Sequence, residues 1–274
     1  MDRREFLSTF AAALQNSPAG VTRYVRFRQG SQVSHGILEG ESIRRITGPL
    51  LGSHRPTGAP LPASSAELLC PIEPGKILAV GLNYKSHIGN RTPPANPEIF
   101  YKPISCLQHP GANIVIPRDA SNVHYEGELV LVIGKRARNV SREEAPGVIF
   151  GVACGNDVSE RDWQSGPRKD LQWWRAKGAD TFGPLGPCIA RGLNYGDILL
   201  TTRLNGAVVQ QQRTSDLLFD CPAIVSFVSR YVSLEPGDVI YTGTPGATKK
   251  MSPGDTVEVE IEGIGALRNK VSDR

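Results

Sequence analysis

The segment HYEGELVLVIGK, residues 124–135, limits what this chain can fold into more than any other stretch. Two carboxylates, Glu126 and Glu128, run directly into an unbroken apolar series from Leu129 to Ile133. Side chains alternate between the faces of a strand, so one strand over 124–135 places His124, Glu126 and Glu128 on the same face. Carboxylates about 7 Å apart on one face repel each other, and buried they cost several kcal/mol unless something cationic sits between them. The next strand-like run, VIFGVACGNDV (148–158), carries a third carboxylate, Asp157, near its carboxyl end. Two readings fit these residues. Three hard oxygen donors without a cysteine suit Mg²⁺, Mn²⁺ or Ca²⁺ rather than zinc. An ion-pair cluster with Arg161 or Lys177 uses the same acids without a metal.

A chain of 274 residues buries a full-sized core, and 39% hydrophobic with 21% charged residues describes an ordinary globular protein. The 31 basic and 27 acidic residues are spread along the whole length, with no basic run that could track phosphates, so nucleic acid is not the expected partner. No stretch approaches the roughly 18 apolar residues that span a bilayer. The 29 glycines and 21 prolines favour many short strands joined by turns. Cys70, Cys106, Cys154, Cys188 and Cys221 are odd in number, dispersed and free of a Cys-x-x-Cys pair, which favours buried thiols in a reducing compartment.

The amino terminus, residues 1–21, has Arg3-Arg4 followed by the short apolar run Phe6 to Leu14. Twin-arginine export is one reading of it. An amphipathic helix with Phe6, Phe10, Ala13 and Leu14 on one face is the other, and it accompanies the preferred expectation of a cytoplasmic protein.

Within a module spanning 22–67, residues 22–48 alternate as strands with turns at Gln29-Gly30 and Glu39-Gly40, and 48–66 has a linker's Gly, Pro and Ser content. A small amino-terminal β module followed by a main body over 68–274 is therefore expected. KILAVGLN (76–83) reads as a buried strand and 83–96 as an irregular loop. Ser141-Arg-Glu-Glu144 has capping-box spacing, and Asn205-Gly206 marks a hairpin joining 198–205 to 208–215. Residues 221–233 form the clearest helix, with Pro222 in its first turn and Ile224, Phe227, Val228 and Tyr231 as an apolar stripe. Regular βαβ alternation is absent. The fold class is α+β, with antiparallel strands dominating.

Six ordered motifs, KILAVGLNYKSH (76–87), FYKP (100–103), HYEGELVLVIGK (124–135), GNDVSERDWQ (155–164), KGADTFGPLGP (177–187) and YTGTPGAT (241–248), resemble the fumarylacetoacetate hydrolase superfamily over roughly residues 22–272. The resemblance implies a mostly antiparallel, multi-layer β fold with a few short helices, and a homodimer. It also implies a divalent metal, usually Mg²⁺ with Mn²⁺ or Ca²⁺ as alternatives, held by Glu126, Glu128 and Asp157. Lys177 matches the lysine that the family places beside the metal to stabilise oxyanion charge. Arg161 and Gln164 correspond to residues that hold the substrate's carboxylate or oxo groups, and Thr244 to a threonine that receives its carboxylate. Thr242 lies in the same motif.

His87 matches the catalytic histidine of the hydrolases, in which a glutamate three residues on orients it and the pair activates water. Here that position is Asn90 and the next acid is Glu98, a distant replacement. An amide hydrogen-bonds to imidazole but does not stabilise its charged form. The expected substrates are small 2-oxo acids, whose enolate a chelated ion stabilises. Hydrolytic cleavage of a C–C bond in an acylpyruvate-like or 2,4-dioxo sugar acid is the first expectation. Isomerisation or decarboxylation of a 2-oxo dicarboxylic or hydroxymuconate-type acid comes next, because Asn90 burdens water activation more than enolate chemistry. A non-catalytic 2-oxo-acid-binding scaffold is the reading from another class. His124 is expected to orient a carboxylate from behind. Trp163, Trp173 and Trp174 are expected in the core or at a pocket rim.

Overall fold

In the computed structural model residues 20–274 are described, so both readings of the amino terminus fall almost wholly outside the described residues. The apolar run that opened the sequence is the middle of the molecule. Gly127–Ile133 is a strand buried on both faces, which is why its sequence is continuous rather than alternating. Leu129, Leu131 and Ile133 point into one apolar cluster, and Val130 and Val132 into another. This strand pairs antiparallel with Ile149–Asn156 on one side and Val239–Tyr241 on the other. Outward from Ile149–Asn156 lie Gly183–Arg191 and then Thr22–Gln29, both antiparallel. Outward from Val239–Tyr241 lie Ile77–Gly81, paired parallel, and the edge strand Glu98–Lys102.

This large sheet packs against a second one of five strands, which holds the hairpin Leu199–Leu204 and Ala207–Arg213 beside Thr256–Ile261 and Gly265–Asp273. The hairpin turn has positive φ at Asn205 (52°) and Gly206 (83°), as an Asn-Gly turn of this kind requires. Leu200, Val259, Ile261 and Leu267 from the second sheet meet Leu129, Leu131 and Ile133 from the first. The architecture is strand-rich and mostly antiparallel, with four short α-helices among the described residues. No helix among them is long and apolar enough to cross a membrane.

Several elements depart from the sequence expectation. Residues 124–135 are not one strand: Val123–His124 pairs with Ser159–Glu160, and the central strand starts only at Gly127. At the break, side-chain and loop bonds replace the ladder. Glu126 N–H donates to Asn156 Oδ1 (2.8 Å), and Asp157 N–H donates to the carbonyl of Glu126 (2.8 Å). The stretch 48–66 is not a free linker either. Arg55–Pro56 and Leu61–Pro62 pair with Ser42–Thr47, and Leu50, Ala63 and Ala66 are buried. Burial of these small apolar side chains outweighs the turn-rich composition. Thr22–Gln29 also bonds directly to Gly183–Arg191, so the strands of this region extend the sheet of the main body.

The helix Cys221–Tyr231 starts as expected, with Asp220 Oδ1 accepting from Ala223 N–H (2.9 Å) and Pro222 in the first turn. Its core face is Ile224, Val225 and Val228, whereas Tyr231 is 70% exposed and stacks edge-on with Phe227. The Ser141–Glu144 capping box forms in both directions, Ser141 N–H to Glu144 Oε2 (2.8 Å) and Glu144 N–H to Ser141 Oγ (3.2 Å). It leads into a 3₁₀ turn, Ala145–Val148.

Gly127 separates the two glutamates because nothing larger fits. A Cβ there would lie 2.0 Å from Thr202 Oγ1 and 3.3 Å from Val259 Cγ1. Gly127→Ala is expected to lower stability by about 2 kcal/mol through overpacking, measured by urea denaturation; an unchanged midpoint would show that the second sheet yields freely.

Candidate metal centre and active-site cavity

One regular strand position and two breaks in regular structure bring the acids together. Glu126 sits in the interruption before the central strand, Glu128 on that strand opposite Gly155, and Asp157 one residue beyond the end of the neighbouring strand. All three are buried, and one oxygen of each lies within 4.8 Å of the others. They line a cavity of about 360 Å³ together with His87, Arg91, Phe100, Arg161, Gln164, Trp173, Lys177 and Thr244.

The cations are distributed unevenly among the acids. Lys177 Nζ donates to Glu126 Oε2 (2.5 Å) and Asp157 Oδ2 (2.6 Å). Arg161 Nη2 pairs with Glu126 Oε1 (2.5 Å), and Lys102 Nζ with Asp157 Oδ1 (2.6 Å). Among the described residues no cationic side chain lies within ion-pair distance of Glu128; its Oε2 accepts from Gly243 N–H (2.7 Å). The electrostatic consequences diverge accordingly. Burial raises Glu126, but Arg161 and Lys177 outweigh it and hold that carboxyl well below the usual range. Burial, then Asp157 and Glu126, push Glu128 well above it. The ion-pair reading of the acidic cluster is thus realised for part of it, and the three oxygen donors of the metal reading are brought together. Two of the acids are ion-paired, while the third, Glu128, is held by the Gly243 N–H and borders the cavity. An all-carboxylate donor set of this kind fits a divalent ion of the Mg²⁺ or Mn²⁺ type.

The remaining expected residues gather here with different partners. Arg161 and Gln164 lie on the short helix Arg161–Gln164, whose cap is Glu160 accepting from Trp163 N–H (2.8 Å). Arg161 Nη1 donates to Gln164 Oε1 (2.6 Å) and Nη2 to Thr248 Oγ1 (2.7 Å). Thr244, not Thr242, lines the cavity: its hydroxyl donates to Gly127 O (2.9 Å) and accepts from Gln210 Nε2 (2.9 Å). Thr242 Oγ1 instead donates to the strand carbonyl of Leu129 (2.9 Å). His87 lies on the helix Lys85–Ile88, and its Nδ1 donates to Gly246 O (2.7 Å), which leaves Nε2 as the basic nitrogen.

Two expectations are corrected, those for His124 and Glu98. His124 touches no carboxylate; its ring nitrogens contact Thr248 Oγ1 (2.9 Å) and Asn122 Oδ1 (2.8 Å), because the strand break turns it away from Glu126. Burial and then Arg161 lower its pKa to about 4, so it is a neutral link to the hydroxyl that braces Arg161. Glu98 does not replace the missing acid, since it lies on the edge strand and lines a neighbouring apolar pocket. The tryptophans divide: Trp163 is buried under Arg175, Trp173 lines the cavity edge-on to Phe100 (5.5 Å), and Trp174 is 66% exposed.

Lys102 and Gln210 went unassigned in the sequence. Lys102 is fully enclosed; burial lowers its pKa but Asp157 outweighs this and keeps the ammonium charged. It also donates to the backbone carbonyl of Lys177, fixing the residue that stands between two of the acids. Its only sequence signal was its place in the FYKP motif.

A carboxylate triad with flanking lysines, set at the ends of two neighbouring strands of the large sheet and opening onto a small cavity, is a donor set of the kind that holds a divalent ion, carried on the strand-rich fold described above. The chain belongs to the fumarylacetoacetate hydrolase family: residues 76–272 match fumarylacetoacetate (FAA) hydrolase C-terminal, and residues 22–71 match Rv2993c-like, N-terminal. Protein Rv2993c of Mycobacterium tuberculosis is 44% identical over 262 residues, covering 91% of this chain and 97% of that one. The crystal structure of 2-hydroxyhepta-2,4-diene-1,7-dioate isomerase from Mycobacterium marinum superposes with a TM-score of 0.86 at 41% identity, covering 92% of this chain and 99% of that one. Maleylpyruvate hydrolase from Sphingobium sp. SYK-6, solved with manganese(II) and pyruvate, gives a TM-score of 0.75 at 29% identity, covering 92% and 99%.

Proposed function

We propose that this enzyme isomerises a small 2-oxo acid by moving a proton at the carbon next to the oxo group. The observation that carries the reading is the setting of His87: it faces the cavity of the three carboxylates, and a backbone carbonyl, not an acid, receives its Nδ1–H. A divalent ion held by Glu126, Glu128 and Asp157 would supply Lewis acidity at the 2-oxo oxygen. His87 Nε2 takes the proton from carbon 3 of the substrate. Negative charge moves onto the oxo oxygen, where the Lys177 ammonium stabilises it. Return of the proton to a different atom of the conjugated system completes the isomerisation. Arg161, braced by Thr248 and Gln164, holds the substrate carboxylate. Phe100 and Trp173 keep water from that side of the cavity.

Water activation sets a harder demand on the same histidine. Water has a pKa of about 15.7 in bulk, whereas a carbon beside a chelated oxo group is a far stronger acid. A base without a carboxylate partner suits the second task better. C–C hydrolysis is the second reading; the likeness to the manganese-bound maleylpyruvate hydrolase supports it. The isomerase of Mycobacterium marinum supports the first.

The test is deuterium exchange at carbon 3 of a panel of 2-oxo acids, followed by NMR with Mg²⁺ and with EDTA. Exchange that needs the metal and precedes any fragmentation is expected; two-fragment products without exchange would replace isomerisation by hydrolysis. His87→Ala is expected to slow exchange roughly 10²- to 10⁴-fold while leaving metal binding intact.

We also propose a homodimer. Tyr101, Leu171 and Trp174 are exposed and line one apolar pocket beside the edge strand Glu98–Lys102, which a second copy would cover. Light scattering that gives a monomer at micromolar concentration would remove this proposal.

A further inference from the structure

A chain of hydrogen bonds runs back from Arg161 and ends on the residue next to it in sequence. Arg161 Nη2 donates to Thr248 Oγ1 (2.7 Å), and that oxygen contacts His124 Nδ1 (2.9 Å). His124 Nε2 contacts Asn122 Oδ1 (2.8 Å), and Asn122 Nδ2 donates to Asp162 Oδ1 (2.9 Å). Ser121 Oγ (3.1 Å) and Arg168 Nη2 (3.2 Å) hold the other oxygen of Asp162. The two ends fix the sense of every link, because a guanidinium only donates and an ionised carboxylate only accepts. Asn122 must turn its NH₂ to Asp162, so its oxygen faces the imidazole and His124 Nε2 carries the proton. A second proton, on Nδ1, would set an imidazolium against the Arg161 guanidinium across a single oxygen atom. Nδ1 is therefore bare, and the Thr248 hydroxyl donates to it. With its only hydrogen spent there, Thr248 presents lone pairs to Arg161. His87 is the opposite tautomer, with its proton on Nδ1 towards Gly246 O.

We propose that His124 is a positioning residue for Arg161: held as its Nε2–H form by Asn122 and Asp162, it orients the Thr248 hydroxyl so that the guanidinium stays turned to the cavity. The proposal rests on the reading of Arg161 as the group that holds the substrate carboxylate. Arg161 needs such a brace because its Nη2 also lies 2.5 Å from Glu126 Oε1. A carboxylate attracts a guanidinium more strongly than a neutral acceptor does, so Glu126 alone would draw the group onto itself and away from substrate. Thr248 at Nη2 and Gln164 at Nη1 (2.6 Å) restrain it. A Thr248 hydroxyl turned the other way would aim its hydrogen at the arginine and repel it. His124 acts from outside the cavity, which Arg161 and Thr248 line and it does not.

Nitrogen-15 NMR of the metal-free protein with labelled histidine reads the tautomer without any turnover. At neutral pH His124 is expected with Nε2 protonated and Nδ1 bare, opposite to His87; the signals lost in His124→Asn are those of His124. Kinetics of the Mg²⁺-loaded protein read the positioning. In His124→Leu the KM for metal-dependent exchange at carbon 3 is expected to rise about 10-fold, with kcat within about twofold of wild type. The amide oxygen of His124→Asn replaces Nδ1 as the acceptor for Thr248, so this variant is expected to keep KM within about threefold. A ring that only fills space predicts a lower melting temperature in both variants and no separation of KM from kcat.

A proton on Nδ1 of His124, alone or with one on Nε2, overturns the proposal and leaves the 2-oxo-acid reading in place. The wild-type spectrum decides this even where His124→Leu does not fold. An unchanged KM in folded His124→Leu also overturns it, as does a loss that His124→Asn fails to recover. A wild-type protein that exchanges no 2-oxo acid sinks the 2-oxo-acid reading, and the task assigned to Arg161 with it.

Discussion

In Glu128→Gln, affinity for Mg²⁺ and Mn²⁺ is expected to fall at least about 100-fold, while the melting temperature in EDTA stays at or slightly above the wild-type value. The two halves of this result have separate causes. Glu128 is the triad member without an ammonium or guanidinium partner, and burial beside Asp157 and Glu126 already drives its carboxyl towards the neutral form. A neutral amide of the same shape accepts the Gly243 N–H equally well and relieves that repulsion, so the fold loses nothing. The metal loses one of three anionic donors, and hard dications depend on formal charge. Isothermal titration gives the first quantity and circular dichroism in EDTA the second. Metal affinity within a few-fold of wild type would show that the ion is not held by these three acids, and the proposed isomerisation would lose its Lewis acid.

Lys102→Met is expected to have the opposite profile, a loss of stability of about 3–5 kcal/mol. For a chain of this size that corresponds to a melting temperature roughly 10 °C lower. The ammonium is enclosed, ion-paired to Asp157 at 2.6 Å, and bonded to the carbonyl of Lys177. Removing it leaves a buried carboxylate with one cation in place of two and a buried carbonyl without its donor, and both terms act against folding. Methionine fills most of the volume, so the loss is electrostatic and not a cavity effect. Scanning calorimetry with and without Mg²⁺ measures it. A shift of less than about 2 °C would mean that water or a rearranged Lys177 satisfies Asp157, and that the pair contributes little.

The strands and turns legible in the sequence were those specified by local chemistry. Asn205-Gly206 needs no distant partner to form its turn, and the Asp220–Pro222 helix start and the Ser141–Glu144 box are complete within four residues. Where the reading failed, a long-range contact had overridden a local preference. Residues 124–126 alternate as a strand would and run straight into one, yet Asn156 and Asp157, about thirty residues on, take up the hydrogen bonds of Glu126. Residues 48–66 have a linker's composition, but Leu50, Ala63 and Ala66 find apolar surface elsewhere.

The site divides in the same way. Residue type and spacing alone singled out Glu126, Glu128 and Asp157 as an expensive cluster that required a cation, and the absence of an acid after His87 followed from the order of residues. Which cations answered that requirement, and which acid was left without one, depended on the tertiary structure. Lys102 reaches Asp157 from 55 residues away and Lys177 from 20, distances over which no periodicity carries a signal. Partner choice among charges depends on burial and on separations of a few ångströms, because the Coulomb energy of a pair changes many-fold between water and a protein interior. Composition and pattern determine that charge must be buried here; only the packed sheets decide which charge faces which.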